Sequence, residues 1–317
     1  MSLAVLFPGQ GSQYVGMGAD LFDSHAELLR DVADATLGWS LEELCLEGPE
    51  DRLTRTEYAQ PALFAVSFAL WTELQSTADV VYAGAVGHSL GEFTALAATG
   101  SISFAEALEV VARRGEAMAA AADLEPSGMA ALVGAGDEVA REITARRASE
   151  GGRLEVANLN APGQVVVAGS AEDIDWVKEK ARDFGVRRAI PLKVAGAFHS
   201  AFMEPAADRV AQALAGVSFN QPQFPVWSNT TARPHVTEDL PANLRSQVVT
   251  TVRFSECLAN MADEGIDVFV HVGPGDVTAG MARRTVDGAT VHVVSSTDDI
   301  PGVVDSLVSI AELRSEQ

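Results

Sequence analysis

The stretch at positions 87–91 reads Gly-His-Ser-Leu-Gly, which fits the pattern Gly-x-Ser-x-Gly. An apolar run at 80–86 predicts a buried strand before it, and residues 92–99 predict a helix after it. A one-residue turn between a strand and a helix exposes the serine hydroxyl, and the flanking glycines let the backbone fold back. We therefore predict that Ser89 is a nucleophile. The alternative is a glycine-rich turn that carries an incidental serine.

A serine hydroxyl is a poor nucleophile unless a base takes its proton, and the chain has six histidines. His199 follows a predicted strand at 186–194 and lies where two predicted parts of the chain meet, so it is the candidate base. Two others lie in apolar strands, where we expect a core histidine whose ring nitrogens are hydrogen-bonded within the protein: His271 and His292. The carboxylates before His199 read as exposed helix residues: Asp173, Asp175 and Asp183. A backbone carbonyl or an amide is the alternative group to orient the base.

Residues 103–118 predict an amphipathic helix that opens with Ser103-x-x-Glu106, a capping box. Arg113 lies on its polar face, but Arg114 lies at the edge of its apolar stripe. A buried guanidinium without a partner costs several kcal/mol, so Arg114 needs an anion. That anion is either a structural carboxylate or the carboxylate of a bound substrate, and the pattern favours neither.

The loop at 8–13, Pro-Gly-Gln-Gly-Ser-Gln, follows the first predicted strand. Its glycine spacing fits neither common phosphate-binding loop, so we expect no nucleotide there. Such a loop can instead donate a backbone N–H to an oxyanion. The histidines, cysteines and carboxylates show no metal-ligand spacing, and we predict neither a metal nor a cofactor.

The composition excludes several classes of protein. Hydrophobic residues make up 47% of the 317 residues, as in a globular chain, and the net charge of −22 disfavours a nucleic-acid partner. No apolar run is long enough to span a bilayer, and residues 1–7 read as a strand rather than a signal peptide. The two cysteines, Cys45 and Cys257, favour a reducing cytoplasm. We predict a cytoplasmic enzyme that binds no membrane.

The pattern of elements divides the chain into two parts. Up to residue 124, strands alternate with helices, as in a parallel sheet covered by helices. Residues 125–194 read strand-helix-strand-strand-helix-strand, the order of a ferredoxin-like unit. We predict an α/β fold with 1–124 and 195–317 as the catalytic subdomain and 125–194 as an inserted subdomain. The insert carries 10 basic and 11 acidic residues, so it repels an acidic partner less than the rest of the chain does.

These features together resemble the malonyl-CoA:acyl-carrier-protein transacylase family, including the acyltransferases of polyketide synthases. The resemblance covers nearly the whole chain and rests on several motifs: the loop at 8–13, Gln-Pro-Ala-Leu at 60–63, Gly-His-Ser-Leu-Gly-Glu at 87–92, Arg114-Gly115, Asn-Leu-Asn-Ala-Pro-Gly-Gln-Val-Val-Val-Ala-Gly at 158–169, Phe198-His199 and Val-Gly-Pro-Gly at 272–275. Two stretches, residues 197–203 and 228–234, look most like those of discrete acyltransferases that serve polyketide synthases in trans, and the absence of attached modules is consistent with that.

The resemblance implies a role for each candidate residue. Ser89 carries the acyl group and His199 is the base, while the backbone N–H groups of Gln10 and Leu90 form the oxyanion hole. Arg114 holds the free carboxylate of the substrate, and the backbone of Gln247 orients His199. The implied fold is an α/β-hydrolase-like body with a ferredoxin-like lobe.

The implied activity is malonyl transfer from coenzyme A to the thiol of an acyl carrier protein, for polyketide or fatty acid biosynthesis. Phe198 before the base and Leu90 after the nucleophile are typical of malonyl-specific enzymes, because a bulky phenyl ring crowds a branched acyl group. We expect a monomer. Carrier proteins are usually acidic, so we predict docking at five arginines: Arg153, Arg187, Arg188, Arg283 and Arg284. Other extender units, a serine thioesterase or hydrolase and a non-catalytic docking module remain the alternatives.

Overall fold

The computed structural model describes residues 2–77 and 80–315, and the strands among them form two separate sheets. In chain order the strands are β1 (Leu3–Phe7), β2 (Gly84–Gly87), β3 (Ser127–Val133), β4 (Leu154–Ala161), β5 (Gln164–Ser170), β6 (Arg188–Pro191), β7 (Val226–Trp227), β8 (Val268–Val272) and β9 (Thr290–Val294). Strands β3 to β6 form the smaller sheet, and the other five form the larger one.

Helices pack around both sheets. In chain order they are α1 (Ala33–Leu37), α2 (Leu41–Glu47), α3 (Glu50–Thr54), α4 (Thr56–Thr77), α5 (Leu90–Ala98), α6 (Phe104–Ala122), α7 (Asp137–Ser149), α8 (Ala171–Lys180), α9 (Glu204–Leu214), α10 (Leu240–Gln247), α11 (Phe254–Asp263), α12 (Val277–Thr285) and α13 (Ile300–Ser315). No helix in the described part of the chain combines the length and the apolarity that crossing a membrane requires.

The larger sheet is parallel, with the strand order β7-β2-β1-β8-β9. All five residues of the central strand β1 are buried, as expected where helices cover both faces of a sheet. Phe7 pairs with Gly87, and Leu6 pairs with His271. Because parallel strands end at the same edge, the loops after β1 and β2 meet there.

The helix α6 has the two faces that its sequence predicts. Ser103 and Glu106 form both hydrogen bonds of a capping box at its start. Arg113 points to solvent and pairs with Glu109 at 2.6 Å, whereas Arg114 is buried. The predicted helix is therefore confirmed, and it runs to Ala122 rather than ending at Met118.

The smaller sheet is antiparallel, with the strand order β4-β5-β3-β6. The helices α7 and α8 bury apolar side chains against it, among them Ile143 and Ile174. The predicted fold class, a parallel α/β body with an inserted ferredoxin-like sheet, is confirmed. The predicted subdomain boundaries at 124/125 and 194/195 stay a prediction.

The interpretation of Asp173 as an exposed helix residue was wrong. Its side chain lies at the start of α8, is 2% exposed and accepts a hydrogen bond from Arg147 Nε at 2.5 Å. The capping hydrogen bonds with Ser170 turn the carboxylate back over the helix end, where Arg147 of α7 covers it. Helical periodicity does not reveal such a turn.

One edge of the smaller sheet is joined to the larger subdomain. The N–H of Leu159 in β4 donates to the carbonyl of Val252 at 2.9 Å, and the N–H of Val252 donates to Ala157 at 2.8 Å. The next polar residue of β4, Asn160, lies 2.7 Å from His88 Nε2. These contacts hold β4 beside the turn that carries Ser89.

Candidate active site

Ser89 occupies the turn between β2 and α5 with φ 51° and ψ −102°, a conformation that is uncommon for a residue with a side chain. The two flanking glycines are required by close contact. A Cβ on Gly87 would lie 1.8 Å from the carbonyl carbon of Gly91, and one on Gly91 would lie 2.4 Å from the Phe7 carbonyl oxygen. The structure thus has the strained strand-turn-helix geometry that the sequence predicts.

Asn229 holds this turn from the other side, a contact that sequence reasoning missed. Its Oδ1 accepts a hydrogen bond from the Ser89 N–H at 2.7 Å, and its Nδ2 donates to the Gly87 carbonyl at 2.8 Å. Both atoms of the amide are therefore used, and the side chain is fully buried. Asn229 stabilises the strained backbone that presents Ser89.

His199 lies next to the serine. Its Nε2 is 2.8 Å from Ser89 Oγ, and its Nδ1 is 2.8 Å from the backbone carbonyl oxygen of Gln247. A carbonyl oxygen only accepts, so Nδ1 carries the hydrogen and Nε2 is free to take the serine proton. The group that orients the histidine is a backbone carbonyl, one of the two kinds that the sequence left open.

The environment of His199 keeps its imidazole neutral. Burial and then the positive charge of Arg114 lower the pKa of His199 to about 3, although the hydrogen bond to Gln247 opposes the shift. At neutral pH the ring is therefore unprotonated and able to accept a proton.

Arg114 also points at the serine oxygen. Its Nη2 donates to Ser89 Oγ at 2.9 Å and to Gln247 Oε1 at 2.8 Å, and its Nη1 donates to Gln60 Oε1 at 2.5 Å. Its Nε is buried and has no hydrogen-bond partner among the described residues. The guanidinium, which is 1% exposed, is held by amide and hydroxyl oxygens.

The sequence left the anion for Arg114 open, and no carboxylate within the described ranges contacts this guanidinium. Burial lowers the pKa of Arg114 to about 10, and the charge of Glu92 works against that shift. Neutral amides satisfy hydrogen bonds but leave the positive charge uncompensated at close range. This arrangement suits an anion that arrives with a ligand.

Two backbone N–H groups near the serine are available for an oxyanion. Gln10 lies in the loop after β1, and Leu90 is the first residue of α5. Neither N–H donates a hydrogen bond within residues 2–77 and 80–315. Both residues line the same cavity as Ser89. Their role as an oxyanion hole stays a prediction.

The cavity lies between the two sheets and encloses about 260 Å³. Its wall includes residues from both subdomains, among them Gln10, Ser89, Leu90, Arg114, Met118, Met129, Asn158, Asn160, Phe198 and His199. Phe198 is 6% exposed and lines the same cavity as Ser89. Gln247 is fully buried, does not line the cavity and lies behind Arg114 and the serine.

The five predicted docking arginines are exposed and lie outside the cavity wall. Arg153 pairs with Glu125 and lies over the Phe202 ring, at 4.2 Å from its centroid. Arg187 and Arg188 belong to the β6 side of the smaller sheet, and Arg283 and Arg284 end α12. Arg284 hydrogen-bonds to Gln164, a residue of the cavity wall. The docking role stays a prediction.

The structure corrects one of the histidine interpretations. His271 is a satisfied core residue, as predicted, because its Nδ1 is 2.5 Å from Thr278 Oγ1 and its Nε2 is 3.0 Å from the Gly273 carbonyl. His292 is only partly buried, and its Nε2 has no partner in the described part of the chain, so that interpretation was wrong. Its strand β9 lies at the edge of the sheet, which explains the difference.

Glu92 is a second residue of the site that sequence reasoning missed. It lies on α5, its side chain is 1% exposed, and its carboxylate accepts a hydrogen bond from Gln247 Nε2 at 2.6 Å. The signal was a single carboxylate in the otherwise uncharged run at 90–97. In residues 2–77 and 80–315, no group of three or more histidine, cysteine or carboxylate side chains is arranged to hold a metal ion.

The arrangement combines a strained serine, a neutral histidine and a buried cation at one oxygen atom. This set can form a covalent acyl-serine and hold an anionic group beside it.

Sequence comparison agrees with that chemistry. The acyl transferase domain profile matches residues 5–309. The chain is 37% identical over 308 residues to the malonyl CoA-acyl carrier protein transacylase of Bacillus subtilis, covering 96% of this chain and 97% of that protein.

Further similar proteins have related descriptions. A polyketide biosynthesis malonyl CoA-acyl carrier protein transacylase of Bacillus velezensis is 37% identical over 291 residues, or 89% of this chain and 96% of that protein. The crystal structure of the malonyl CoA-acyl carrier protein transacylase of Clostridium perfringens aligns with a TM-score of 0.92 at 32% identity, covering 100% of both chains. A malonyl-transacylase solved in complex with its type II polyketide synthase acyl carrier protein aligns with a TM-score of 0.91 at 34% identity, over 96% of this chain and 100% of that chain.

Proposed function

The chain belongs to the acyl transferase family, and from that premise we propose that it moves a malonyl group from coenzyme A to the phosphopantetheine thiol of an acyl carrier protein. The intermediate is malonyl-Ser89. Relatives with this described activity cover nearly the whole chain, and one of them was solved with a carrier protein. Some of these relatives are named as polyketide biosynthesis proteins, which supports a role in that pathway.

One observation carries the proposal. Ser89 Oγ lies 2.8 Å from the unprotonated Nε2 of His199 and 2.9 Å from Nη2 of Arg114. A serine hydrolase requires the base, but it has no use for a buried cation at the nucleophile. A malonyl thioester has a free carboxylate two bonds from its reacting carbonyl, so it matches both groups.

In the first half-reaction, Ser89 Oγ attacks the thioester carbon while His199 Nε2 takes the hydroxyl proton. The N–H groups of Gln10 and Leu90 stabilise the oxyanion. When the carbon–sulfur bond breaks, His199 returns the proton to the coenzyme A sulfur, and malonyl-Ser89 remains. In the second half-reaction His199 takes the proton of the carrier thiol and the sulfur attacks the ester carbon. The bond from that carbon to Ser89 Oγ then breaks, and His199 returns the proton to Oγ.

Arg114 holds the malonyl carboxylate through this cycle. The guanidinium offers a planar donor surface, and its buried Nε–H has no partner in the described residues. Binding of an anion offsets the charge that contributes to the low pKa of His199, so substrate binding raises that pKa and makes the base stronger. The bulk of Phe198 disfavours a substituent on the malonyl C2 atom.

The carrier protein as partner, the compartment and the oligomeric state are inferred from the surface charge, the cysteines and the origin of the site residues. Three of the five exposed arginines named above, Arg153, Arg187 and Arg188, belong to the nearly charge-balanced smaller subdomain, and the other two lie on α12. This arrangement suits an acidic carrier protein. Cys45 and Cys257 are buried free thiols, as expected in a reducing cytoplasm. All the groups used by the reaction come from one chain, so a monomer is sufficient.

Intact-mass spectrometry tests the proposal. Incubation with malonyl-CoA is expected to produce a single malonyl adduct that persists in buffer and disappears when a holo carrier protein is added. The Ser89→Ala variant, which lacks the nucleophile, forms no adduct. Rapid release of free malonate without a carrier would show a hydrolase, and preferred loading of a branched malonyl group would show another extender unit.

A further inference from the structure

Glu92 is an unusual buried carboxylate because the described structure gives it no direct cationic partner of lysine or arginine type. Its Oε1 accepts hydrogen bonds from His235 Nε2 at 2.6 Å and from the Asn229 N–H at 3.2 Å. Its Oε2 accepts from Gln247 Nε2 at 2.6 Å. Three donors thus converge on two oxygen atoms, so both oxygens of the carboxylate are used as acceptors.

The side-chain amide of Gln247 lies between this carboxylate and Arg114. Its Nε2 donates to Glu92 Oε2 and, at 2.8 Å, to the Ser89 carbonyl, while its Oε1 accepts from Arg114 Nη2. The opposite amide orientation would place the NH₂ group against the guanidinium and the oxygen against two acceptors. Glu92, together with the Ser89 carbonyl, therefore favours the orientation in which the amide oxygen faces Arg114.

We propose that Glu92 is a positioning residue that sets the specificity of the site for carboxylated acyl groups. By fixing the Gln247 amide, it keeps an oxygen behind Arg114 and so keeps the guanidinium directed at Ser89. This inference rests on the proposed function, because it assigns the means by which the same Arg114 recognises a carboxylate.

His235 completes the arrangement. Its side chain is 0% exposed, and its Nδ1 lies 3.5 Å from Asn243 Nδ2, which is a donor. Nδ1 therefore acts as an acceptor, and the ring hydrogen is on Nε2, directed at Glu92. His235 and the Asn229 N–H hold one carboxylate oxygen, which leaves the other for Gln247. In the sequence, the position of His235 in a loop gave no sign of its contact with Glu92.

The test compares malonyl-CoA with acetyl-CoA, which has no carboxylate and does not need Arg114. The measured quantity is kcat/KM for acylation of Ser89 by each thioester. In the Glu92→Gln variant, the side chain can both donate and accept, so it no longer favours one amide orientation and only the Ser89 carbonyl remains as an obligatory acceptor. We expect kcat/KM for malonyl-CoA to fall about tenfold and that for acetyl-CoA to change less than about threefold.

His235→Asn is the second variant, because it keeps the Glu92 charge and removes one of its donors. We expect the malonyl-to-acetyl ratio to fall in the same direction, by about threefold. Asp173→Asn is the matched control. It neutralises another buried carboxylate, in the smaller subdomain, so it reports the general cost of such a change and is expected to leave the ratio unaltered.

The outcomes separate the possibilities. A purely structural role would reduce both rates in parallel, and a ratio that stays constant in both variants overturns the inference. A rising ratio overturns it too, because Glu92 would then act only as a negative charge that repels malonate. If the unaltered enzyme forms no malonyl-Ser89, the proposed function fails together with the inference; if it does and the ratio stays constant, only the inference fails.

Discussion

The two subdomains each bury an arginine, and the two arginines have different partners. In the smaller subdomain Arg147, 9% exposed, donates to Asp173 at 2.5 Å and to Glu172 at 2.8 Å. In the larger subdomain Arg114, 1% exposed, donates only to neutral oxygens in the described structure. One guanidinium is neutralised by the fold, and the other is not.

The difference shows what distinguishes a structural arginine from one that is available to a ligand. Carboxylate partners satisfy both the hydrogen bonds and the charge of Arg147, and nothing remains for a ligand to supply. Amide oxygens position the guanidinium of Arg114, but no carboxylate in the described part of the chain lies against its charge. Burial alone does not distinguish the two, whereas the chemical type of the partners does.

The largest expected effect comes from Arg114→Ala. Loss of a buried cation that pairs with the substrate typically costs about 3–5 kcal/mol, so kcat/KM for malonyl-CoA is expected to fall roughly 10²- to 10⁴-fold. Acetyl-CoA and longer acyl thioesters should be accepted better, since they no longer meet an unpaired charge. Steady-state transfer assays measure both. Arg113→Ala on the exposed face of the same helix is the control, and equal malonyl rates in the Arg114 variant would contradict the assignment.

The second prediction concerns the neutralised arginine. Arg147→Met leaves Asp173 buried without its guanidinium, which is expected to lower the free energy of unfolding by about 2 kcal/mol. Urea denaturation measures this loss. The malonyl-to-acetyl ratio of the folded variant should not change, because Arg147 lies away from the cavity wall. A changed ratio would mean that the two arginines are not separate in function.

A third and smaller effect concerns shape rather than charge. Phe198→Ala removes a bulky ring from the wall of the cavity that contains Ser89. One methyl group in an apolar pocket is typically worth a factor of 10 or more, so kcat/KM for methylmalonyl-CoA relative to malonyl-CoA should rise about tenfold. A competition assay with both thioesters gives the ratio. If the ratio stays the same, another part of the wall sets the branch preference.

The smallest expected effect is on the pH profile. Neutral His199 is the active base, and its pKa is lowered to about 3, so kcat/KM for malonyl-CoA should not fall around pH 6.5 as the pH decreases. In Arg114→Ala one of the lowering causes is absent, so the pKa of His199 rises. The acid limb of acetyl transfer should then move to higher pH. Identical limbs before and after the substitution would show that Arg114 does not act on His199.

The chemistry at positions 87–91 and on α6 could be predicted from the sequence because both signals are local. The glycines around Ser89 specify a tight turn independently of the rest of the fold, and helical periodicity alone places Arg114 at the edge of an apolar stripe. His199 was predicted from its position just after the inserted unit, where the two predicted subdomains meet. The role of each residue in catalysis remains a proposal that the assays above address.

The partners of these residues could not be predicted in the same way. Asn229 and Gln247 meet Ser89 across 140 and 158 residues of sequence, and Glu92 meets His235 across 143. No periodicity connects such positions. Asp173 shows the same limit at short range, because a capping turn and a neighbouring helix buried a residue that its pattern placed in solvent.

The sequence by itself therefore determined which groups are present: a strained serine, a histidine that follows the inserted unit and a guanidinium on a buried face. Backbone strain and helical periodicity depend on neighbouring residues, so a linear pattern contains them. Only the tertiary structure decided that a backbone carbonyl orients His199 and that amides rather than carboxylates surround Arg114. Charge compensation in a protein interior depends on which distant atoms come within a few ångströms, and only the packing of the fold specifies that.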